Sequence, residues 1–492
     1  MCWHILRNLV ILMFLALLLL PGCRRESPQL VIGRNPITQA TMHERQSELV
    51  GEWSSREYRK RILLHISPLD DLEYVPDSAM KEIRRLYRDR QSDELAKKAD
   101  HGAAGLFASR NTVFAAAKAG GFKEVYWVIP YKAAEMAGGG LALKNFLKTV
   151  PSFTDHEAIE RMKLDGGCLA GTVNGIKLRI CSPNSLPKFD EPVVISISGD
   201  FFRVFAAEQQ VSSLRSMRLL LNALVSRSIQ AASVHVVVGV EEGGMLPFHR
   251  YICDEFVEGI VNPQIFDQEA APPLWQARDR AENMLNGGER QLVRDEVAKA
   301  LQEFPDDHPL LMLDIAAQLL MGDAAGALVR AKKLVATEPA DRNRGGSQFL
   351  VQLGDMAGET QSGSPEPFYR AALELHPRWP YALGRFAGSL LERGKYVEAR
   401  EAFKELASVR DSFLLRLRRG DVAYLLGDNA EAVRLYDSAR TLYNEKIGIP
   451  ISRENVLSLD RMIRLYAQVG RAKEADDIEQ WKKRMDIMRP VR

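Results

Sequence analysis

The chain reads as an α/β domain built on a mostly parallel sheet, followed by an all-helical repeat domain. Three observations predict this. Short apolar runs alternate with helix-like patterns between 45 and 271. After residue 308 a glycine is followed five residues later by an alanine, again and again. Pro272-Pro273 separates the two regimes, and consecutive prolines interrupt either kind of element.

The first residues read as a leader. Leu9 to Leu20 is an unbroken apolar run, with Arg7 the only charge before it, and it leads into Leu20-Pro21-Gly22-Cys23. Such a run is too short to span a bilayer comfortably and suits the h-region of a signal peptide. The segment resembles a bacterial lipoprotein signal, which implies cleavage before Cys23 and acylation of that cysteine. An uncleaved N-terminal anchor helix is the alternative. Either way the expected location is the cell envelope, with the body lipid-anchored or otherwise tethered to a membrane; several acyl chains anchor where one does not. Arg24, where an Asp would signal inner-membrane retention, points to the outer membrane, on its periplasmic side or at the cell surface. The expected divisions are a signal peptide over 1–22, the lipidated Cys23 and tether over 23–44, the α/β domain over 45–271 and helical repeats over 272–492.

Composition excludes some functions. A net charge of +2, 46% hydrophobic and 26% charged residues describe an ordinary folded protein, with no surplus of cations for a nucleic acid partner. Nor is there a phosphate-cradling glycine motif or a zinc spacing of cysteines, so neither cofactor nor metal is expected.

In the α/β region, 61–66, 124–129, 192–198 and 233–240 read as strands. Ser78 to Arg90, with Ser78 as cap, Asn111 to Ala119, and one long stretch from Ala207 to Ala231 read as helices. This alternation predicts a doubly wound sheet. Ligands in such sheets sit beyond the carboxyl ends of the strands, which directs attention to 67–72, 196–202 and 240–244. Glu241-Glu242-Gly243-Gly244 reads as a turn there, either an ordinary loop or a pocket wall. Asn174-Gly175 is a strong signal for a type I′ hairpin. Counting outward from it sets Cys168 opposite Cys181 at a non-hydrogen-bonded pair, where side chains are closest. In an oxidising compartment a disulfide is expected, with two buried thiols as the alternative. Cys253 is left as a buried thiol.

The recurring spacing pairs Gly322 with Ala327, Gly394 with Ala399, Gly427 with Ala432 and Gly470 with Ala475; Phe403 and Tyr436 lie four residues beyond their alanines. Gly394 and Gly427 are 33 residues apart. The pattern resembles tetratricopeptide (TPR) repeats, helix-turn-helix units of about 34 residues. The resemblance implies five or six stacked units between 276 and 490 and a groove that binds a protein or peptide partner. Disturbances are expected at Gly358–Pro367 and Asn444–Arg453.

The α/β region carries its own resemblance. The segments Leu64-His65-Ile66-Ser67-Pro68-Leu69-Asp70-Asp71-Leu72, Arg110-Asn111 through Pro130, and Ile195-Ser196-Ile197-Ser198-Gly199-Asp200-Phe201-Phe202 occur in the order of a poorly characterised branch of the arginase-like (ureohydrolase/deacetylase) fold. His43-Glu44 with Trp53 resembles the lead-in of those relatives. The resemblance covers roughly 42 to 260 and implies the fold. At the positions where metal-dependent relatives supply ligands, this chain has Ser67, Leu69, Asp71, Ser196 and Ser198, with Asp200 beside them. A pair of divalent cations needs several hard donors and carboxylates to offset its charge; leucine and neutral serines supply neither. Asp70, Asp71 and Glu73 then read as a solvated loop. A serine hydrolase would need a histidine base; His65 is expected in the core, and His249 would have to reach the cleft from beyond the 241–244 turn. The expectation is a non-catalytic scaffold or adaptor with a pseudoenzyme domain. The alternative is a hydrolase of carbon–nitrogen bonds with rearranged ligands.

Overall fold

A computed structural model describes residues 31–32, 35–36 and 40–487, apart from 100–104, 133–139, 151, 154, 240–244, 267–270, 338–342 and 446–455. Cys23 and the residues expected to form a leader lie outside the described residues, as do Glu241, Glu242, Gly243 and Gly244. No helix among the described residues is long and apolar enough to cross a membrane.

Among the described residues ten strands are formed: β1 (Val31–Ile32), β2 (Asn35–Pro36), β3 (Thr41–His43), β4 (Arg61–Ile66), β5 (Phe122–Val128), β6 (Lys163–Asp165), β7 (Cys168–Val173), β8 (Ile176–Cys181), β9 (Val193–Ser198) and β10 (Ala231–Val237). The first two pair with each other, and the rest form one sheet in the order β3-β10-β9-β4-β5-β8-β7-β6. The six strands from β3 to β8 in that order are parallel, and β7 and β6 extend the sheet antiparallel. Strand side chains alternate between faces. Ile62, Leu64 and Ile66 enter one core with Phe201, Phe205 and Leu220; Leu63 enters another with Trp53, Ile83 and Phe114.

Connectivity creates a crevice. From β4 the chain crosses to β5 on one side; from β9 it crosses to β10 on the other. Right-handed crossovers running in opposite directions put their helices on opposite faces. The helices Asp77–Arg88 and Thr112–Lys118 accordingly pack in the Trp53 core, and Asp200–Gln209 and Ser213–Ser226 in the Phe201 core. Between the carboxyl ends of β4 and β9 the chain therefore diverges, which is where open α/β sheets bind ligands.

Asn174 and Gly175 have φ of +50° and +73°, as a type I′ turn requires. Val173 faces Ile176, as counted from the sequence, and Cys168 and Cys181 are joined in a disulfide with Cα atoms 4.6 Å apart. Cys253 is a buried free thiol.

Two expectations are corrected. The single helix over 207–231 is two helices, because Gln210 adopts φ +55° and Ser212 caps a new start, its side chain accepting from the Arg215 amide. No glycine or proline marks that break. The helix near residue 78 begins at Asp77 behind Pro76, and Ser78 does not cap it.

Among its described residues the second part of the chain is six antiparallel helix pairs: Pro273–Asn286 with Arg290–Ala300, His308–Leu320 with Ala324–Ala336, Asn343–Glu359 with Glu366–Leu375, Pro380–Glu392 with Tyr396–Val409, Phe413–Leu425 with Asn429–Glu445, and Val456–Gln468 with Ala472–Ile487. In five pairs the turn holds a glycine with φ between +75° and +93°: Gly288, Gly322, Gly394, Gly427 and Gly470. That backbone region costs an L side chain about 1 kcal/mol or more, which explains the recurring residue. The third pair has a longer turn with Gln361 at φ +54° instead. Ala327, Ala399 and Ala432 are wholly buried where helices meet.

The two parts are joined by exchanged side chains. Phe248 of the α/β part packs in the repeat core, and Trp275 of the first repeat helix packs in the sheet core. Buried Glu282 accepts hydrogen bonds from Ser213 and Tyr251, Asp279 accepts from the Leu214 amide, and Arg278 joins Glu255 and Asp307.

Candidate functional site

A cleft of about 480 Å³ opens at the divergence between β4 and β9. Ser67, Leu69 and Asp71 reach it from beyond β4, and Ser198 and Asp200 from the end of β9. Arg45, Gln46 and Ser47 close it from the lead-in segment, and Ser109 and Arg110 from the loop before Thr112. The roof belongs to the repeats: Trp379, Pro380 and Tyr381 at the start of the fourth pair, and Val409 and Arg410 at its end. The Trp379 and Tyr381 rings lie 5.3 Å apart. Sequence reasoning missed this roof, since periodicity reveals which helices stack but not which end of the stack folds back on the sheet.

Five of the six positions at which the family resemblance places its degenerate site line this cleft. The sixth, Ser196, lies beneath it and is fully buried, accepting a hydrogen bond of 3.2 Å from Gln46 Nε2. Leu69 is 54% exposed and offers only an apolar side chain, while its amide donates to Ser67 Oγ. The remaining carboxylates are Asp71 and Asp200. This donor set does not fit a pair of divalent cations, whose charge needs more carboxylates than the two that line the cleft.

The floor is buried and acidic. Asp70 and Asp71 are each 6% exposed, so the expected solvated loop is a buried one. Asp70 accepts from the Leu72 amide at 2.7 Å, and the Asp71 backbone is left-handed, with φ +53°. Burial pushes the Asp71 carboxyl up to about 6, against the pull of His65, whose Nε2 lies 3.3 Å from Oδ2. Burial also raises Glu73, to about 7, with Arg110 opposing. Asp200 is raised by burial too; Ser198 hydrogen-bonds to it, while its Oδ1 has no hydrogen-bond partner among the described residues. An unsatisfied buried oxygen on the floor of a cleft is an unfilled acceptor position for a ligand's N–H or O–H.

Among the described residues no nucleophile and base are paired here. His65 is fully buried, as expected from its place on the strand. Its Nε2 faces the Leu69 carbonyl at 3.0 Å and Asp71, and its Nδ1 has no hydrogen-bond partner among the described residues. His249 does not reach the cleft: it is buried at the junction of the two parts, with Nε2 3.4 Å from Glu282 Oε1. The helical start after β10, with Phe248 anchored in the repeat core, turns it away. A second cluster escaped sequence reasoning altogether: His43, Glu52 and His235 converge beside β3. Their separation in the chain hides them, and only parallel pairing of β3 with β10 brings them together.

No family profile matches the sequence, and no curated protein matches it. Solved structures similar to part of the chain include PilF of Pseudomonas aeruginosa, with 19% identity over 44% of this chain and 94% of that one, TM-score 0.29. A tetratricopeptide repeat protein from Parabacteroides merdae has 16% identity over 51% of this chain and 96% of that one, TM-score 0.28. TTC0263, a thermophilic TPR protein in Thermus thermophilus, has 19% identity over 40% of this chain and 98% of that one, TM-score 0.22. Scores this low carry no argument, and the repeat architecture rests on the observed helix pairs and their turn glycines.

Proposed function

We propose that the protein is a non-catalytic scaffold of the cell envelope, tethered through Cys23, that holds a peptide segment of a protein partner in the cleft between sheet and repeats. The observation that carries this reading is the shared lining of the cleft. Its floor comes from the strand ends and its roof from Trp379, Pro380 and Tyr381. Aromatic rings supply apolar contact, and the buried acceptors of Asp71 and Asp200 suit backbone or side-chain N–H groups. Arg45, Arg110 and Arg410 line it as well, and cations there suit a segment that also carries acidic groups.

Affinity capture from solubilised envelope tests it. The acylated protein should retain a defined partner, and the double variant Trp379→Ala, Tyr381→Ala should lose it while keeping its helical content. Retention by the double variant would contradict a cleft-bound partner. The hydrolase alternative finds support in the buried His65–Asp71 pair, because perturbed carboxyls in clefts mark catalytic sites. Turnover of an amide or guanidino compound, abolished in Asp71→Asn and Asp200→Asn, would favour that alternative.

A further inference from the structure

We infer that His43, Glu52 and His235 form a binding site for one divalent transition-metal ion of the zinc type, separate from the cleft. The backbone sets it up. Thr41 and His43 are two residues apart on edge strand β3 and so share a face. Ser233 and His235 repeat that spacing on β10, and parallel register places His235 beside Thr41. Glu52, at the end of the helix Leu49–Glu52, covers this face.

The donor atoms converge. Glu52 Oε2 lies 3.1 Å from His43 Nε2, and Glu52 Oε1 lies 3.5 Å from His235 Nδ1. All three ligating groups lie within 4.8 Å of one another. With bonds of about 2.0–2.1 Å, donors on a tetrahedral zinc are about 3.3–3.4 Å apart, so little movement is needed. Thr41 Oγ1 lies 2.8 Å from His235 Nδ1 and 3.1 Å from His43 Nε2, on the same centre. Two imidazoles and one carboxylate are the donor types zinc accepts, with a fourth position left for Thr41 or water.

The surrounding groups orient the ligands. Ser233 Oγ lies 2.9 Å from His235 Nε2 and can accept a hydrogen bond from its N–H, in the tautomer that turns the Nδ1 lone pair toward Glu52. Such partners fix ring orientation at metal sites. The edges of Trp53 and Tyr58 hold the same ring, with centroids 6.3 and 5.8 Å away. His235 is 1% exposed, while Glu52 keeps 31% of its side chain accessible, which leaves a route for the ion. A bound ion would pin β3 and the Glu52 helix to β10.

Cobalt and zinc titration of tag-free, chelator-treated protein tests this. The wild type should take up one Co²⁺ per chain with the intense visible spectrum of tetrahedral N/O coordination, and Zn²⁺ should displace it and raise the melting temperature. Glu52→Gln and His43→Gln, at the accessible side of the site, should weaken uptake roughly tenfold or more while preserving the circular dichroism of the wild type. Asp71→Asn should bind as the wild type does. Absence of uptake by the wild type, uptake unchanged in both Glu52→Gln and His43→Gln, or uptake lost in Asp71→Asn would overturn the assignment.

Discussion

His65 Nε2 and Asp71 Oδ2 are 3.3 Å apart on the floor of the cleft, and neither side chain is more than 6% exposed. This contact does not cancel the burial of the carboxyl, which stays raised to about 6. A folded-state value above the unfolded one means stability that is present below about pH 4 and lost as pH rises through 6. Asp71→Asn should therefore stabilise the protein by about 1–3 kcal/mol at pH 8 and change little at pH 4. Asparagine also tolerates the left-handed backbone at this position. Urea unfolding at the two pH values checks it; an equal loss at both would show that Asp71 supports the fold whatever its charge.

Glu282 joins the two parts of the molecule. It is 2% exposed and accepts from both Ser213 and Tyr251. Glu282→Ala leaves both hydroxyls without a partner, which should cost about 2–4 kcal/mol. Because these hydroxyls belong to the sheet part and Glu282 to the repeats, calorimetry should show one transition splitting into two. A single transition at an unchanged temperature would argue that the exchanged Phe248 and Trp275 alone hold the parts together.

Two glycines in repeat helices should respond oppositely to alanine. A methyl at Gly420 would lie 2.5 Å from the Tyr436 ring, and Tyr436 is itself held by Asp421. Gly420→Ala should destabilise by about 1–3 kcal/mol. A methyl at Gly388 meets nothing within 4 Å, so Gly388→Ala should stabilise by about 0.5–1 kcal/mol through helix propensity. Chemical denaturation of both variants reads the sign directly.

The Cys168–Cys181 bond closes a loop with a sequence separation of 13. Replacing both cysteines by serine should cost about 2–3 kcal/mol, with the hairpin the first segment to gain proteolytic sensitivity. Unaltered stability would mean that the neighbouring strands already hold this edge.

Local signals carried far in the sequence. Asn174-Gly175 set the hairpin register because its turn needs positive φ at both positions, and Gly394 and Gly427 marked repeat turns for the same reason. The β4 and β9 strand ends pointed to the cleft because ligands in alternating α/β sheets sit beyond the carboxyl ends of the strands, and the observed connections diverge there. Features that depend on distant pairing stayed hidden. Gln210 breaks a helix with no residue type that announces it. Trp379 and Tyr381 roof the cleft because the repeats dock against the sheet, through Phe248 and Trp275 and the bonds of Glu282. Asp70 and Asp71 look like a solvated acidic pair until the packing around them is seen.

The proposed anchorage has its own test. Metabolic labelling with a radioactive fatty acid should mark the protein in cells, and Cys23→Ser should abolish both the label and membrane fractionation. Labelling that persists in Cys23→Ser would place the acyl group elsewhere.

The composite cleft is tested most directly by photocrosslinking in living cells, with a benzophenone amino acid replacing Tyr381 in the roof or Val329, which is 69% exposed on the repeats away from the cleft. The account predicts one discrete adduct from position 381, lost when Asp71→Asn and Trp379→Ala are added, and none from 329. Adducts from 329 with none from 381 would place the partner on the outside of the repeats and contradict it.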